Sequence, residues 1–137
     1  MRKLILSWLL AAVAIGGCVA YSNKEAPPLT PFEEVCLLAE VYFDESCGNL
    51  RPPTLIYTSL LAELSIVGAY VHGEQYIFVH PRDPELEDTV IHETVHYVLW
   101  ELDLVQGRCY SENVAREWSA IISGLPVDDT WRERYEC

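Results

Sequence analysis

The run His92-Glu93-Thr94-Val95-His96 sets two imidazoles four residues apart, with a carboxylate beside the first. On an α-helix such residues stand one turn above each other, about 6 Å apart at Cβ, so both rings can converge on one ion. Each ring nitrogen could approach Zn²⁺ to about 2.0–2.1 Å. Glu93 points to the neighbouring side of the helix, where its carboxylate can reach a zinc-bound water without ligating the metal. That is the place for a general base. An amphipathic helix with two surface histidines would carry the same letters, but the chain has only four histidines and this spacing rarely arises by chance.

A helix must exist for this chemistry to work. Asp83-Pro84-Glu85 reads as an N-cap followed by proline at the first helical position, and Glu85, Glu87 and Asp88 suit the positive end of the helix dipole. The helix then runs through Val90, Ile91, Val95, Val98, Leu99, Trp100 and Leu102, apolar on most faces, and is expected to stop near Gly107. A helix this apolar is buried, and histidines in it need a partner.

Two histidines leave a catalytic zinc site one protein ligand short. A third histidine six residues after His96 would complete one known arrangement, but Leu102 stands there. His72 and His80 lie upstream, where turn or surface positions account for them. Downstream, Glu112 and Glu117 share one helix but are about 140° apart around it, so only one can face the metal. Glu112 has the small residues Ala115 and Ser119 on its stripe, which would let the two helices approach closely, and is the favoured ligand.

Taken together, His92-Glu93-Thr94-Val95-His96 and Glu112-Asn113-Val114-Ala115-Arg116-Glu117-Trp118 resemble the small single-domain gluzincin metallopeptidases, in which the third ligand is a glutamate in an E-x-x-A-x-x-aromatic setting. The resemblance covers about half of the chain beyond its leader. It implies a minimal zincin-like α+β domain: a small, mostly antiparallel sheet packed on the HExxH helix and further helices. It also implies zinc ligands His92, His96 and Glu112, with Glu93 catalytic. Thermolysin-like members carry an aspartate four residues after the ligand glutamate and a later histidine that stabilises the oxyanion; this chain has Arg116 at that offset and no histidine after His96. Tyr97, Tyr110 and Arg116 are the remaining candidate donors.

The expected reaction is hydrolysis of a peptide or protein substrate. Glu93 takes a proton from the zinc-activated water and returns it to the leaving amine. The strand at 75–79 is the expected sheet edge on which an extended substrate could pair. A different class of function, a zinc-stabilised binding or scaffolding lipoprotein without turnover, would not require Glu93. A metal-free helix would leave stability indifferent to chelators.

The N-terminus reads as an export signal over 1–17: basic Arg2 and Lys3, an apolar stretch from Leu4 to Ile15, and small residues before Cys18. Ile15-Gly16-Gly17-Cys18 resembles a bacterial lipobox, which implies a lipid anchor on Cys18; simple cleavage after Ala20 is the alternative. Residues 18–30 form a polar, proline-containing tether, and 31–137 one small domain facing the periplasm or cell exterior. The formal charge of −12 falls to −14 once Arg2 and Lys3 leave, which argues against nucleic acid as a partner.

Of five cysteines, Cys18 is assigned to the anchor, and Cys36, Cys47, Cys109 and Cys137 remain for two disulfides. A helix over 31–45 would separate Cys36 from Cys47 by roughly 16 Å along its axis, beyond the reach of a bridge. Each is therefore expected to pair with Cys109 or Cys137. No CxxC spacing favours a cysteine-bound zinc instead. The remaining elements are a strand at 55–57, an ambiguous segment at 60–64, a hairpin of 69–71 with 75–79 about His72-Gly73-Glu74, and a last helix over 111–123 capped by Ser111.

Overall fold

The computed structural model describes residues 27–127 and 129–137. The leader, Cys18 and most of the tether lie outside them. Helix α1 (Pro31–Phe43) is followed by β1 (Thr54–Tyr57), a 3₁₀ turn (Ser59–Leu64), β2 (Gly68–Tyr70), β3 (Tyr76–Val79), α2 (Leu86–Glu101), α3 (Arg108–Ser123) and a short α4 (Trp131–Arg134). The domain is α+β, as expected.

Helix α1 starts on a capping box. Thr30 Oγ1 accepts from the Glu33 N–H, and the Glu33 carboxylate accepts from the Thr30 N–H at 2.7 Å, so two otherwise unpaired donors are satisfied. It ends at Phe43, earlier than expected, because Asp44 turns left-handed (φ 57°) and reverses the chain. The reversal overturns the expected cysteine pairing. Residues 44–47 fold back along the helix and bring Cys47 within 5.6 Å of Cys36 at Cα, a bridged pair. Cys109 pairs with Cys137. The disulfides thus close two local loops instead of tying the first helix to the C-terminus.

The three-stranded sheet has the order β1-β3-β2 and is mixed, not mostly antiparallel: β1 runs parallel to β3 and β2 antiparallel to it. The 3₁₀ turn and β2 lie between β1 and β3 in sequence and provide the crossover that a parallel pair needs. Strand β3 is therefore central, with Ile77 and Val79 fully buried, and cannot be the edge. The edge beside the HExxH helix is β2.

Helix α2 carries much of the core. Ile91, Val95, Tyr97, Val98 and Leu99 are buried and pack with Val35 and Ala39 of α1, Ile77 and Val79 of β3, and Val114, Ala115 and Trp118 of α3. Full burial of each such aliphatic side chain is worth roughly 1.5–3 kcal/mol. The helix stops at Glu101, well before Gly107. Asp103 takes the left-handed turn (φ 56°), and the Leu104 N–H donates to the Leu99 carbonyl at 2.8 Å. Gly107 (φ 101°) instead precedes α3, which therefore begins three residues before Ser111.

Candidate metal centre

Helices α2 and α3 form an antiparallel hairpin. Near its far end the Ser119 and Ser123 hydroxyls both donate to the Asp88 carboxylate, which locks the start of α2 to the end of α3. Ser111, Ala115 and Ser119 are buried at four-residue spacing on α3, and such small residues allow the two backbones to approach.

Close approach places Glu112 against the two histidines. His92 Nε2 and His96 Nε2 lie 3.2 Å apart. Glu112 Oε1 is 3.4 Å from His96 Nε2, and Oε2 is 3.5 Å from His92 Nε2. One ligand atom from each of the three residues falls within 4.8 Å of the others, a group that could hold a metal ion. The donor chemistry fits: Glu112 Oε2 is buried without a hydrogen bond, its neighbours His92 Nε2 and Arg116 Nε standing 3.5 and 3.7 Å away, so an ion would give that atom a direct partner. Burial pushes the Glu112 carboxyl up, but the adjacent imidazoles of His92 and His96 outweigh it and hold the group well below the usual carboxylate range.

His96 Nδ1 lies 2.7 Å from Ser111 Oγ. If that nitrogen carries the ring proton, it donates to Ser111 and Nε2 presents its lone pair to the site. Ser111 was expected as a helix cap; its structural place is behind the His96 ring.

Glu93 lines the same cleft as His92 and His96. Its Oε2 accepts a hydrogen bond from the Tyr70 N–H at 2.8 Å. The Val67 carbonyl accepts from His80 N–H, so by strand alternation Val67 and Ala69 face β3 while the peptide groups of Gly68 and Tyr70 face outward. Gly68 makes this contact possible. A Cβ there would stand 2.5 Å from Thr89 Cγ2 and 3.0 Å from Glu93 Cγ, so α2 could not lie so near the strand. An isolated glycine opening a strand was the signal for such close approach.

The other candidates separate cleanly. Glu117 is exposed and accepts from Asn113 Nδ2 at 2.9 Å. His72 stacks on Trp100 with centroids 4.4 Å apart, and His80 Nδ1 accepts from the Arg82 N–H, so neither joins the ligand group. Tyr97 is buried and donates to the Arg51 carbonyl, and Tyr110 packs against the core. Arg116 alone of the three expected donors lines the cleft, its Nε 3.7 Å from Glu112 Oε2.

The cleft over this group has a volume of about 1080 Å³. One wall is β2 with Ile66 and Val67; the other is α3 with Arg134 and Tyr135 of the C-terminal segment. Comparison with protein-family models, with curated proteins and with solved structures returned no match.

Proposed function

We propose that this chain is a zinc-dependent metallopeptidase, held outside the cytoplasm by a lipid anchor on Cys18. The observation that carries the reading is the convergence of His92, His96 and Glu112, with Glu93 lining the same cleft. A tetrahedral ion with ligands at about 2.0–2.1 Å has ligand–ligand edges of about 3.3–3.4 Å. His92 Nε2 and His96 Nε2, 3.2 Å apart, match such an edge, and each has one Glu112 oxygen within 3.5 Å, which favours zinc on that ground. Two disulfides favour an oxidising compartment.

When bound, zinc supplies a Lewis acid that polarises the substrate carbonyl and lowers the pKa of coordinated water. The chain's own residues do the rest. Glu93 accepts the proton of the attacking water and delivers it to the leaving amine, while the Tyr70 N–H holds its carboxylate against the sheet edge. Ser111 keeps the His96 ring in the ligating orientation. With the Tyr70 N–H taken by Glu93, the outward carbonyls of Gly68 and Tyr70 are what β2 offers an extended substrate as main-chain acceptors beside the site.

The same Tyr70–Glu93 bond also suits a second reading, in which Glu93 is structural and the protein is a zinc-stabilised binding lipoprotein without turnover. Glu93→Gln separates the two. The peptidase reading expects wild-type cleavage of an unfolded protein substrate to fall by about 10²–10⁴-fold in the variant with metal content unchanged. Wild-type protein that carries metal and cleaves nothing supports the binding reading.

A further inference from the structure

We propose that the C-terminal segment 131–137 is a clamp on Glu112, with Trp131 and Arg116 as its positioning residues, so that the site holds an ion tightly only once the Cys109–Cys137 bridge has closed. This role deepens the reading given above and rests on its metal centre, not on turnover.

Glu112 stands near the weaker end of its helix. Helix α3 begins at Arg108 with no side-chain cap and no acidic residue in its first turn, and Glu112 is its fifth residue. The first four N–H groups of a helix have no partner within it, and helix ends fray. The C-terminal segment supplies an outside hold, at points on both sides of Glu112. Before it, the Tyr135 ring lies 4.2 Å from the Arg108 guanidinium, and Cys137 is bridged to Cys109. After it, Arg132 Nη2 donates to Asn113 Oδ1 at 2.7 Å, and the Trp131 ring lies 5.5 Å from the Arg116 guanidinium. The segment is itself anchored: Trp131 is buried, and the Tyr135 and Cys137 N–H groups donate to the Trp131 and Arg132 carbonyls.

Arg116 carries this hold to the carboxylate. Its Nε lies 3.7 Å from Glu112 Oε2, close enough to form an ion pair but longer than a hydrogen bond. The arginine therefore orients the ligand without taking it from an ion. Its own place is fixed from the Trp131 side by attraction between the guanidinium and the ring face.

The fastener can be reached from solvent. Cys109 and Cys137 are exposed, whereas Cys36 and Cys47 are half-buried. Closure by a disulfide-bonded oxidant runs by exchange: one cysteine thiolate attacks the oxidant, the second displaces it from the mixed disulfide, and the oxidant leaves as a dithiol with both electrons and both protons. Metal loading would thus follow arrival in an oxidising compartment.

The test is zinc affinity of the metal-stripped chain, read by competition with a fluorescent chelator. Serine replaces each cysteine pair in turn, because free thiolates would bind zinc themselves. Cys109→Ser/Cys137→Ser should lose about 10–100-fold in affinity, the range for loss of a partner behind a ligand, and Cys36→Ser/Cys47→Ser should lose none. Trp131→Phe keeps a ring beside Arg116 and should retain affinity, while Trp131→Leu should lose at least about tenfold. Circular dichroism establishes which variants are folded, and the Trp131 pair decides if the serine variant is not. Equal losses from the two cysteine pairs, or wild-type affinity in folded Cys109→Ser/Cys137→Ser or Trp131→Leu, overturns the clamp and leaves the metal centre standing. Wild-type protein that takes up no zinc sinks the metal centre and the clamp with it.

Discussion

Helices α2 and α3 are each 16 residues long and together supply every candidate ligand, yet they are built on opposite plans. Helix α2 is covered on most sides and lies within the core, with six buried residues and His92 and His96 emerging at one side. Helix α3 is amphipathic: Ser111, Val114, Ala115, Trp118 and Ser119 face inward, while Glu117 and Ile121 face solvent. The contrast divides the work. Helix α2 sets where the two imidazoles stand, because moving it would disturb the sheet, α1 and α3 together. Helix α3 sets how near Glu112 comes, through small side chains and hydroxyl contacts.

The contrast can be broken most strongly in α2. Leu99→Ala should destabilise the fold by about 2–5 kcal/mol in urea unfolding, since its site is closed on all sides. A loss below 1 kcal/mol would mean that α2 is not the anchored member. Next, Gly68→Ala forces a methyl against Thr89 and Glu93. Its cost should be about 1–3 kcal/mol. Hydrolysis should fall further than stability explains, because the Tyr70–Glu93 bond moves with the strand.

Effects on α3 should be smaller and confined to metal affinity. Ser111→Ala removes the partner of His96 Nδ1 and should weaken zinc binding about 10–100-fold by competition with a fluorescent chelator, with the far-ultraviolet spectrum unchanged. Unaltered affinity would remove Ser111 from the site. At the outer face, Glu117→Ala should change stability by no more than about 0.5 kcal/mol and leave affinity as it was.

Much of the site could be read from spacing, and its setting less so. The His92–His96 interval needs only a helix, and the preference for Glu112 over Glu117 followed from angular separation and from Ala115 and Ser119. Tertiary geometry defeated the rest. The left-handed turn at Asp44 has no glycine to announce it, so the chain reversal and the Cys36–Cys47 bridge were hidden. Gln75–Val79 carries the pattern of a hairpin strand, but pairing of β1 on its far side, which no local signal shows, makes it central. Ser111 looked like a helix cap because Ser is a common one; the actual start at Arg108 has no side-chain cap at all.

The central claim is that His92, His96 and Glu112 grip one ion. Isothermal titration of Zn²⁺ into metal-stripped protein, run beside Glu112→Ala, tests it most directly. The account predicts one equivalent bound by the wild type and an affinity at least tenfold weaker in the variant. Wild-type protein that takes up no zinc, or a variant that binds as tightly as the wild type, would contradict it.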